Sequence, residues 1–338
     1  MSEAVRLVEV LRGGFVESAH LGHALVCDAA GEVVAAWGDP ARVTLPRSAC
    51  KMLQALPVVE SGAADRAGLG PEHLALACAS HEGGAAHVQR VAAWLGGLGL
   101  SEADLRCGPQ EPGDAAEREA LRATGAAPCQ LHNNCSGKHA GFLTLGRETG
   151  GGPEYVEPGH PVQRAVREAI EELIGETSPG YGIDGCSAPN FAGTLQGFAA
   201  AMARFAAAET ALKGARREAA IRLRAAMLAH PFLVAGEGRA CTEIMEALGG
   251  SAVIKTGAEG VFFAMLPGKG LGVALKIEDG ATRASECAMA ALLVRLGVAE
   301  AADPAVRRRL MPDLANRAGR PVGAVRPAEG FWQGGARL

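Results

Sequence analysis

Residues 46–51, with the sequence PRSACK, carry a serine and a lysine three residues apart. Residues at this spacing lie on one face of a helix, so we expect the hydroxyl of Ser48 to meet the amine of Lys51. Pro46 favours a helix start, and a helix N-terminus stabilises negative charge on an acyl oxygen. A lysine accepts a serine proton only where its surroundings favour the uncharged amine. The pair predicts a serine nucleophile with a lysine base, although an exposed helix start also produces this spacing.

A second serine follows an apolar run in residues 78–84, CASHEGG. The run gives way abruptly to polar residues and glycines, and side chains at such a junction can face a cleft. Ser80 is therefore a candidate partner of Lys51. The alternative is that Ser80 caps a helix beginning near residue 85. For the flanking His81 and His87 we expect surface positions.

Lys255 ends an apolar strand in residues 254–257, IKTG. A lysine there either reaches solvent or directs its charge into an active cleft. In the second case it would attract a substrate that carries a carboxylate.

Two polar, glycine-bearing stretches, 132–141 and 183–190, are predicted to be functional loops. Each contains a cysteine outside any apolar run, Cys135 and Cys186. Two thiolates with a nearby His, Asp or Lys can bind zinc, but the Cys-x-x-Lys spacing to Lys138 is not an ordinary zinc signature. From spacing alone a metal site is the less favoured interpretation. The same stretches hold three groups suited to an amino-acid ligand: Asn133, His139 and Asp184.

Strand patterns occur at both ends of the chain and helical patterns between them. Strands are predicted at 6–10, 24–27, 33–37, 252–255, 260–265 and 272–277, and a helix at 283–296. Helical periodicity marks 85–98, 161–174, 193–213 and 215–229. We expect one composite α/β domain over 1–338, with a sheet module from 1–45 and 250–338 and a mainly helical module from 46–249. A cleft between such modules is a usual ligand site.

Charge and hydropathy exclude several classes of protein. The net charge is −4, and the longest basic run is residues 307–309, which argues against a nucleic-acid or anionic-membrane surface. The first residues lack the pattern of a secretory signal, and no apolar segment reaches the roughly 20 residues of a membrane span. We expect a cytoplasmic protein.

Together these motifs resemble the asparaginase II family, the rhizobial-type L-asparaginases. The resemblance rests on EVLRGG (9–14), VES (16–18), PRSACK (46–51), CASH (78–81), HNNCSGKH (132–139) and DGC (184–186), in that order. It implies a fold like that of the serine β-lactamases and penicillin-binding proteins, with an antiparallel sheet flanked by helices and a largely helical inserted module. It also implies L-asparagine as substrate and a homodimer.

The resemblance assigns roles to particular residues. It implies a double Ser-Lys arrangement of Ser48 with Lys51 and Ser80 with Lys255. It implies a metal site, usually zinc, at Cys135, Lys138 and Cys186, completed by water. Substrate-binding groups are expected at Arg47, Asn133, His139 and Asp184.

Three alternatives remain open at this stage. Glutamine differs from asparagine by one methylene, which is worth only about 1–3 kcal/mol in a pocket. A β-lactamase-like serine hydrolase also carries Ser-x-x-Lys and Lys-Thr-Gly motifs. The third is a non-catalytic, zinc-dependent amino-acid-binding protein with the same fold.

Overall fold

The structure is a computed structural model that describes residues 3–333. Its strands are β1 Val5–Arg12, β2 Phe15–Asp28, β3 Val33–Trp37, β4 Val43–Thr44, β5 Tyr181–Ile183, β6 Pro189–Phe191, β7 Gly193–Thr194, β8 Val253–Thr256, β9 Val261–Leu266, β10 Leu271–Ile277, β11 Asp313–Ala315 and β12 Pro321–Pro327.

Its helices are α1 Lys51–Glu60, α2 Ala63–Arg66, α3 Pro71–Ala77, α4 Ala85–Gly97, α5 Ala115–Thr124, α6 Ser136–Thr149, α7 Pro161–Ile174, α8 Leu195–Ala206, α9 Ala208–Ala211, α10 Gly214–Ala229, α11 Pro231–Ala235, α12 Ala240–Leu248, α13 Thr282–Arg295, α14 Pro304–Leu310 and α15 Glu329–Gln333. Short 3-10 helices cover Arg47–Cys50, Glu102–Asp104, Gln130–His132 and Pro267–Lys269.

The chain divides into two compact units. The sheet unit contains the described residues up to Ala49, Gly193–Ala207 and the residues from Glu243 onward. The helical unit contains Cys50–Ala192 and Ala208–Thr242.

An antiparallel sheet forms the centre of the sheet unit. Its strand order is β11-β12-β1-β2-β10-β9-β8, and β3 pairs with β2 beside this path. All six residues of β9 are buried, which requires cover on both faces of the strand because side chains alternate between faces. Helices α8 and α13 pack against this part of the sheet. Strand β8, which carries Lys255, lies at one edge.

Glycine allows one of these helices to approach the sheet closely. A Cβ atom on Gly272 of β10 would lie 2.2 Å from the carbonyl oxygen of Ala199 and from the amide nitrogen of Ala203 in α8. Only a residue without a side chain fits there. The segment 193–207 therefore packs as part of the sheet unit, although it lies within the range predicted for the helical module.

Helix α1 forms the core of the helical unit. All residues from Lys51 to Val59 are buried, and α1 packs against α6, α7 and α10. A helix that is buried on every side is normally apolar, so the lysine at its first position is exceptional.

The predicted fold class is confirmed in its architecture, since an antiparallel sheet flanked by helices is joined to a largely helical module. The helix predicted at 161–174 has the bounds of α7, and the strands at both ends of the chain are present. The loop predicted at 132–141 is wrong, because α6 begins at Ser136. The helix requires a glycine at position 137, because a Cβ atom there would lie 2.4 Å from the carbonyl oxygen of Leu76.

Across residues 3–333, no helix combines the length and apolarity that crossing a bilayer requires.

Candidate active site

Ser48 lies in the 3-10 helix Arg47–Cys50, which leads directly into α1. The sequence predicted a helix start here, and the first turn is tighter than an α-helix. Arg47 has a φ of 50°, in the left-handed region that non-glycine residues seldom adopt. Strained backbone of this kind clusters at functional sites, where the surroundings hold it in place. The serine that follows is half-buried.

Gly257 brings the end of β8 against the Ser48 segment within the sheet unit. A Cβ atom on Gly257 would lie 2.9 Å from the carbonyl oxygen of Pro46 and 3.1 Å from the amide nitrogen of Ala49. The glycine of Lys255-Thr256-Gly257 thus permits a close backbone approach. Lys255, two residues earlier, is fully buried, and its Nζ donates to the carbonyl oxygen of Thr256 at 2.9 Å.

Lys51 and Ser80 form a buried pair within the helical unit. Lys51 is 1% exposed and Ser80 is 6% exposed. The Nζ of Lys51 lies 2.8 Å from Ser80 Oγ and also donates to the carbonyl oxygen of Ala79. This distance suits proton transfer between an amine and a hydroxyl. The alternative role for Ser80 as a helix cap is wrong, since the residue that caps α4 is Gly84.

Backbone hydrogen bonds hold the Ser80 segment in position. The amide of Ser80 donates to the carbonyl oxygen of Val234 at 2.9 Å, and the amide of His81 donates to that of Asn134 at 3.2 Å. Asn134 directly precedes Cys135, so one backbone contact links the Ser80 segment to the cysteine cluster described below.

His81 is a buried, neutral histidine, contrary to the surface position expected from the sequence. Its Nδ1 accepts from the amide of Gly83 at 3.0 Å, and its Nε2 lies 3.0 Å from Ser136 Oγ. The Ser136 hydroxyl in turn donates to the carbonyl oxygen of Leu131. The proton of the imidazole therefore sits on Nε2. His87, also expected at the surface, is buried and stacks on His81 with the ring centroids 4.7 Å apart.

Cys135, Lys138 and Cys186 form a buried cluster, each no more than 4% exposed. Lys138 Nζ lies 3.0 Å from Cys186 Sγ. The hydrogen bond from Cys135, with the charge of Lys138, holds the pKa of Cys186 well below its usual range. Hydrogen bonding to Cys186 and burial raise the pKa of Cys135 to about 12. The cluster thus combines a Cys186 thiolate with a Cys135 thiol.

The charge on Lys138 follows from the same contacts. Burial acts to lower the pKa of Lys138, but the sulfurs of Cys186 and Cys135 outweigh it and raise that pKa above its usual value. The amine is therefore an ammonium group paired with the Cys186 thiolate.

The donor atoms of this cluster fit a zinc ion. Within residues 3–333, no group of three or more His, Cys, Asp or Glu side chains is arranged to hold a metal. The cluster offers two sulfurs and one nitrogen, which are donors that zinc accepts in four-coordinate sites. Cys186 already has the thiolate form that a metal needs. Cys135 and Lys138 would each have to release a proton on binding.

The predicted substrate-binding residues differ in their surroundings. Both hydrogens of the Asn133 amide are used, since Nδ2 donates to the carbonyl oxygens of Cys107 and Gly108 at 2.9 and 3.0 Å. Its Oδ1 accepts from the amide of Cys135 at 2.9 Å. Asn133 therefore orients the cysteine cluster, and direct contact with substrate stays a prediction. Asp184 is half-buried in the turn that leads to Cys186, where Ser187 has a φ of 69°.

His139 is fully buried in the first turn of α6. Its Nδ1 lies 2.9 Å from the hydroxyl of Tyr155, and its Nε2 has no hydrogen-bond partner among residues 3–333. Burial and the charge of Lys138 hold the pKa of His139 well below its usual range, so the ring is neutral.

The sheet unit carries Arg47, Ser48 and Lys255, and the helical unit carries the other predicted site residues. The sequence did not point to Tyr155 or to the Asn134 carbonyl. Tyr155 is one of only two tyrosines in the chain and follows a Gly-Pro cluster, and that scarcity was the available signal. The Asn134 carbonyl oxygen accepts from Lys51 Nζ at 3.5 Å, and no side-chain pattern indicates which backbone carbonyl will face a lysine.

Comparison with known proteins gives one match over nearly the whole chain. The sequence model of a family described as L-asparaginase II matches residues 8–327. No curated protein matches the chain significantly.

Three similar solved structures have low sequence identity. A β-lactamase from Mycobacterium bovis is 15% identical, with 81% of this chain and 94% of that chain covered and a TM-score of 0.45. A protein called Mglu in its native form is 14% identical, with coverage of 83% and 66% and a TM-score of 0.46. A putative β-lactamase from Bacteroides dorei is 12% identical, with coverage of 76% and 84% and a TM-score of 0.42.

Proposed function

Since this chain belongs to the L-asparaginase II family, which makes it an amidohydrolase, we propose that it hydrolyses the side-chain amide of L-asparagine to L-aspartate and ammonia. The observation that carries the proposal is the buried contact of 2.8 Å between Lys51 Nζ and Ser80 Oγ. The fold does not require a lysine amine beside a serine hydroxyl in its interior, because an apolar pair would pack there at a lower cost in free energy.

In the proposed reaction Ser48 is the nucleophile. Lys51, three residues along the chain, takes the hydroxyl proton as Ser48 Oγ attacks the amide carbon. The tetrahedral intermediate collapses as its nitrogen receives that proton and leaves as ammonia, and an aspartyl ester of Ser48 remains. The Gly257 amide is not an oxyanion donor, because it donates to the Val261 carbonyl oxygen at 2.7 Å. The Ser48 amide is the proposed donor.

Ser80 and Lys255 act in the second half of the reaction. Ser80 Oγ passes a proton to or from Lys51, and the same contact serves both directions because an uncharged amine accepts where an ammonium donates. Water then attacks the ester carbon, loses its proton to this relay, and the Ser48 oxygen recovers a proton as aspartate leaves. Lys255 supplies positive charge near the Ser48 segment, which the close approach of Gly257 supports.

The amino-acid head group of the substrate requires one cation or donor for its carboxylate and one anion for its ammonium. Arg47 and His139 are the proposed carboxylate partners, and Asp184 is the proposed ammonium partner. The neutral ring of His139, whose Nε2 has no hydrogen-bond partner among residues 3–333, supports a donor role.

We include zinc in the proposal, held by Cys135, Lys138 and Cys186 with water as fourth ligand. When bound, the ion would act as an electrostatic anchor that orders the substrate pocket. The converging sulfur and nitrogen donors support this assignment. A homodimer in the cytoplasm completes the proposal.

The test is ammonia release from asparagine and glutamine, measured side by side with wild type and Ser48→Ala. We expect release from asparagine by the wild type and none by the variant, with unchanged thermal unfolding. Release of ammonia from glutamine alone would identify glutamine as the substrate instead of asparagine. Hydrolysis of nitrocefin without ammonia release would indicate a β-lactamase-like enzyme. Substantial turnover by Ser48→Ala would show that Ser48 is not the nucleophile. No turnover, with zinc-dependent binding of asparagine, would indicate the non-catalytic alternative.

A further inference from the structure

The hydroxyl of Tyr155 lies between a backbone amide and the ring of His139. The amide of Arg106 donates to Tyr155 Oη at 2.8 Å, and His139 Nδ1 lies 2.9 Å from the same oxygen. Tyr155 is 1% exposed and His139 is fully buried. A phenol has one proton to donate. Since the Arg106 amide is itself a donor, the Tyr155 proton points to His139 Nδ1.

This direction of donation fixes the tautomer of His139. An Nδ1 that accepts a hydrogen bond carries no proton, so the proton of the neutral ring is on Nε2. The Nε2–H is buried and has no acceptor among residues 3–333. A buried donor without an acceptor costs free energy, which a ligand with an acceptor atom at that point would recover.

The contact with Tyr155 keeps the ring in this orientation. Tyr155 meets the His139 ring edge to face, with centroids 5.5 Å apart and planes at 70°, and Phe142 lies 5.7 Å away on α6. Tyr155 is anchored in turn, because Gln163 Nε2 donates to its carbonyl oxygen at 2.8 Å. A ring flip would put Cδ2–H in the place of Nδ1, opposite the phenol, and break the hydrogen bond from Tyr155.

We propose that Tyr155 is a positioning residue, which holds His139 as an Nε2–H donor for the carboxylate of the substrate. The proposal rests on the proposed function for the identity of that ligand. It gives His139 a different role from its neighbours Cys135 and Lys138, since an Nε2 that carries a proton cannot ligate a metal. His139 therefore recognises substrate, while the adjacent residues serve the metal site.

The first experiment determines the tautomer of His139 in the resting enzyme. Two-bond proton–nitrogen correlation on protein with labelled histidine distinguishes protonated from unprotonated ring nitrogens. The His139 signal is assigned by its absence from His139→Gln. We expect an unprotonated Nδ1 and a protonated Nε2, and a shift of the Nε2 signal on addition of L-aspartate. A protonated Nδ1 would overturn the proposal without any variant of Tyr155.

The second experiment separates a donor role from simple packing. Tyr155→Phe keeps the ring and removes the hydroxyl. We expect KM for asparagine to rise about tenfold, the equivalent of roughly 1.4 kcal/mol, with kcat within about threefold. Phe142→Leu, which alters packing around the same ring and spares the hydroxyl, is expected to leave KM within about twofold. In the His139→Gln background, Tyr155→Phe should add nothing, because the positioned ring is gone.

Equal KM values for Tyr155→Phe and wild type would overturn the proposal, as would equal losses in Tyr155→Phe and Phe142→Leu. Should Tyr155→Phe fail to fold, the tautomer and the aspartate titration of the wild type decide alone. Because the tautomer is measured without turnover, failure of this inference and failure to release ammonia from asparagine are separate results.

Discussion

The amine of Lys51 lies 2.8 Å from the hydroxyl of Ser80, with both side chains buried in the helical unit. Lys51 begins a helix whose other buried residues are apolar except for Gln54, and Ser80 follows an apolar run in a different part of the chain. The fold therefore joins two polar groups that are 29 residues apart in sequence. From this contact we predict how substitutions of Lys51 and Ser80 affect the two halves of the reaction.

Lys51→Met should remove the base and lower kcat by about 10²–10⁴-fold. We also expect a loss of about 1–3 kcal/mol in the free energy of unfolding, because the Ala79 carbonyl loses its buried donor. Steady-state ammonia release and urea denaturation measure the two effects. The matched control is the exposed Ser251→Ala, which should match wild type in both. Activity of Lys51→Met within tenfold of wild type would contradict the assignment.

Ser80→Ala should slow hydrolysis of the ester more than its formation. The first ammonia should then be released in a burst, and the enzyme should accumulate in a form heavier by one aspartyl group. Rapid mixing and intact-protein mass spectrometry detect these species. If ammonia release slows from the first turnover and no adduct forms, Ser80 serves the first step instead.

Gly257→Ala tests the close approach of β8 to the Ser48 segment. The added methyl would lie 2.9 Å from the Pro46 carbonyl oxygen, which is closer than ordinary contact, so the segment must move. We expect kcat/KM to fall by roughly 10²-fold, as for a displacement of about 1 Å in a reacting group. Overpacking should also cost about 1–3 kcal/mol of stability. Gly268→Ala, in the same unit and with no atom of the described residues within 4 Å of the new methyl, is the control. Equal activity of both variants would show that this approach does not position Ser48.

The elements of the fold could be predicted where their hydrophobic pattern was long and regular. Helix α7 has apolar residues at helical spacing, and its bounds match the prediction. Helix α6 was missed because Gly137, Lys138 and His139 have a composition typical of loops. Their burial depends on packing against α3, which no local pattern reveals.

The candidate site, like the fold, could be predicted from the sequence only in part. Ser48, Lys51 and the cysteines were identified from residue type and spacing, and family resemblance supplied their roles. The tautomers of His81 and His139 depend on the Gly83 amide and the Tyr155 hydroxyl. These partners are distant in sequence or belong to the backbone, so their contribution appears only once the chain is folded.

Cys186→Ser should abolish binding of zinc, because a hydroxyl is a far poorer ligand than a thiolate. Metal content by mass spectrometry and the change in Tm on adding zinc after chelation measure this. We expect zinc to raise the Tm of the wild type and to leave that of Cys186→Ser unchanged. Cys107→Ser is a matched control, since Cys107 is also buried and its sulfur donates to the Gln130 carbonyl oxygen, as a hydroxyl can. Equal zinc contents in wild type and Cys186→Ser would refute the assignment of this cluster.

Acid should destabilise the protein in part through His81. Burial, and then the charges of His87, Lys51 and His132, hold the pKa of His81 well below its usual value of 6.5. The unfolded state therefore binds a proton below about pH 6.5 that the folded state does not bind, so the free energy of unfolding falls as pH falls. The contribution of one such group approaches about 1.4 kcal/mol per pH unit.

His81→Asn removes the titrating ring and retains an acceptor for the Gly83 amide. We expect the free energy of unfolding of this variant to depend less steeply on pH between about 6 and 5 than that of the wild type. Ser136→Ala is the control, because it removes the partner of His81 Nε2 and keeps the ring. It should lower stability at every pH and leave the slope nearly unchanged. Urea denaturation across this range gives both slopes, and equal slopes for His81→Asn and wild type would mean that His81 is not the group whose protonation drives acid unfolding.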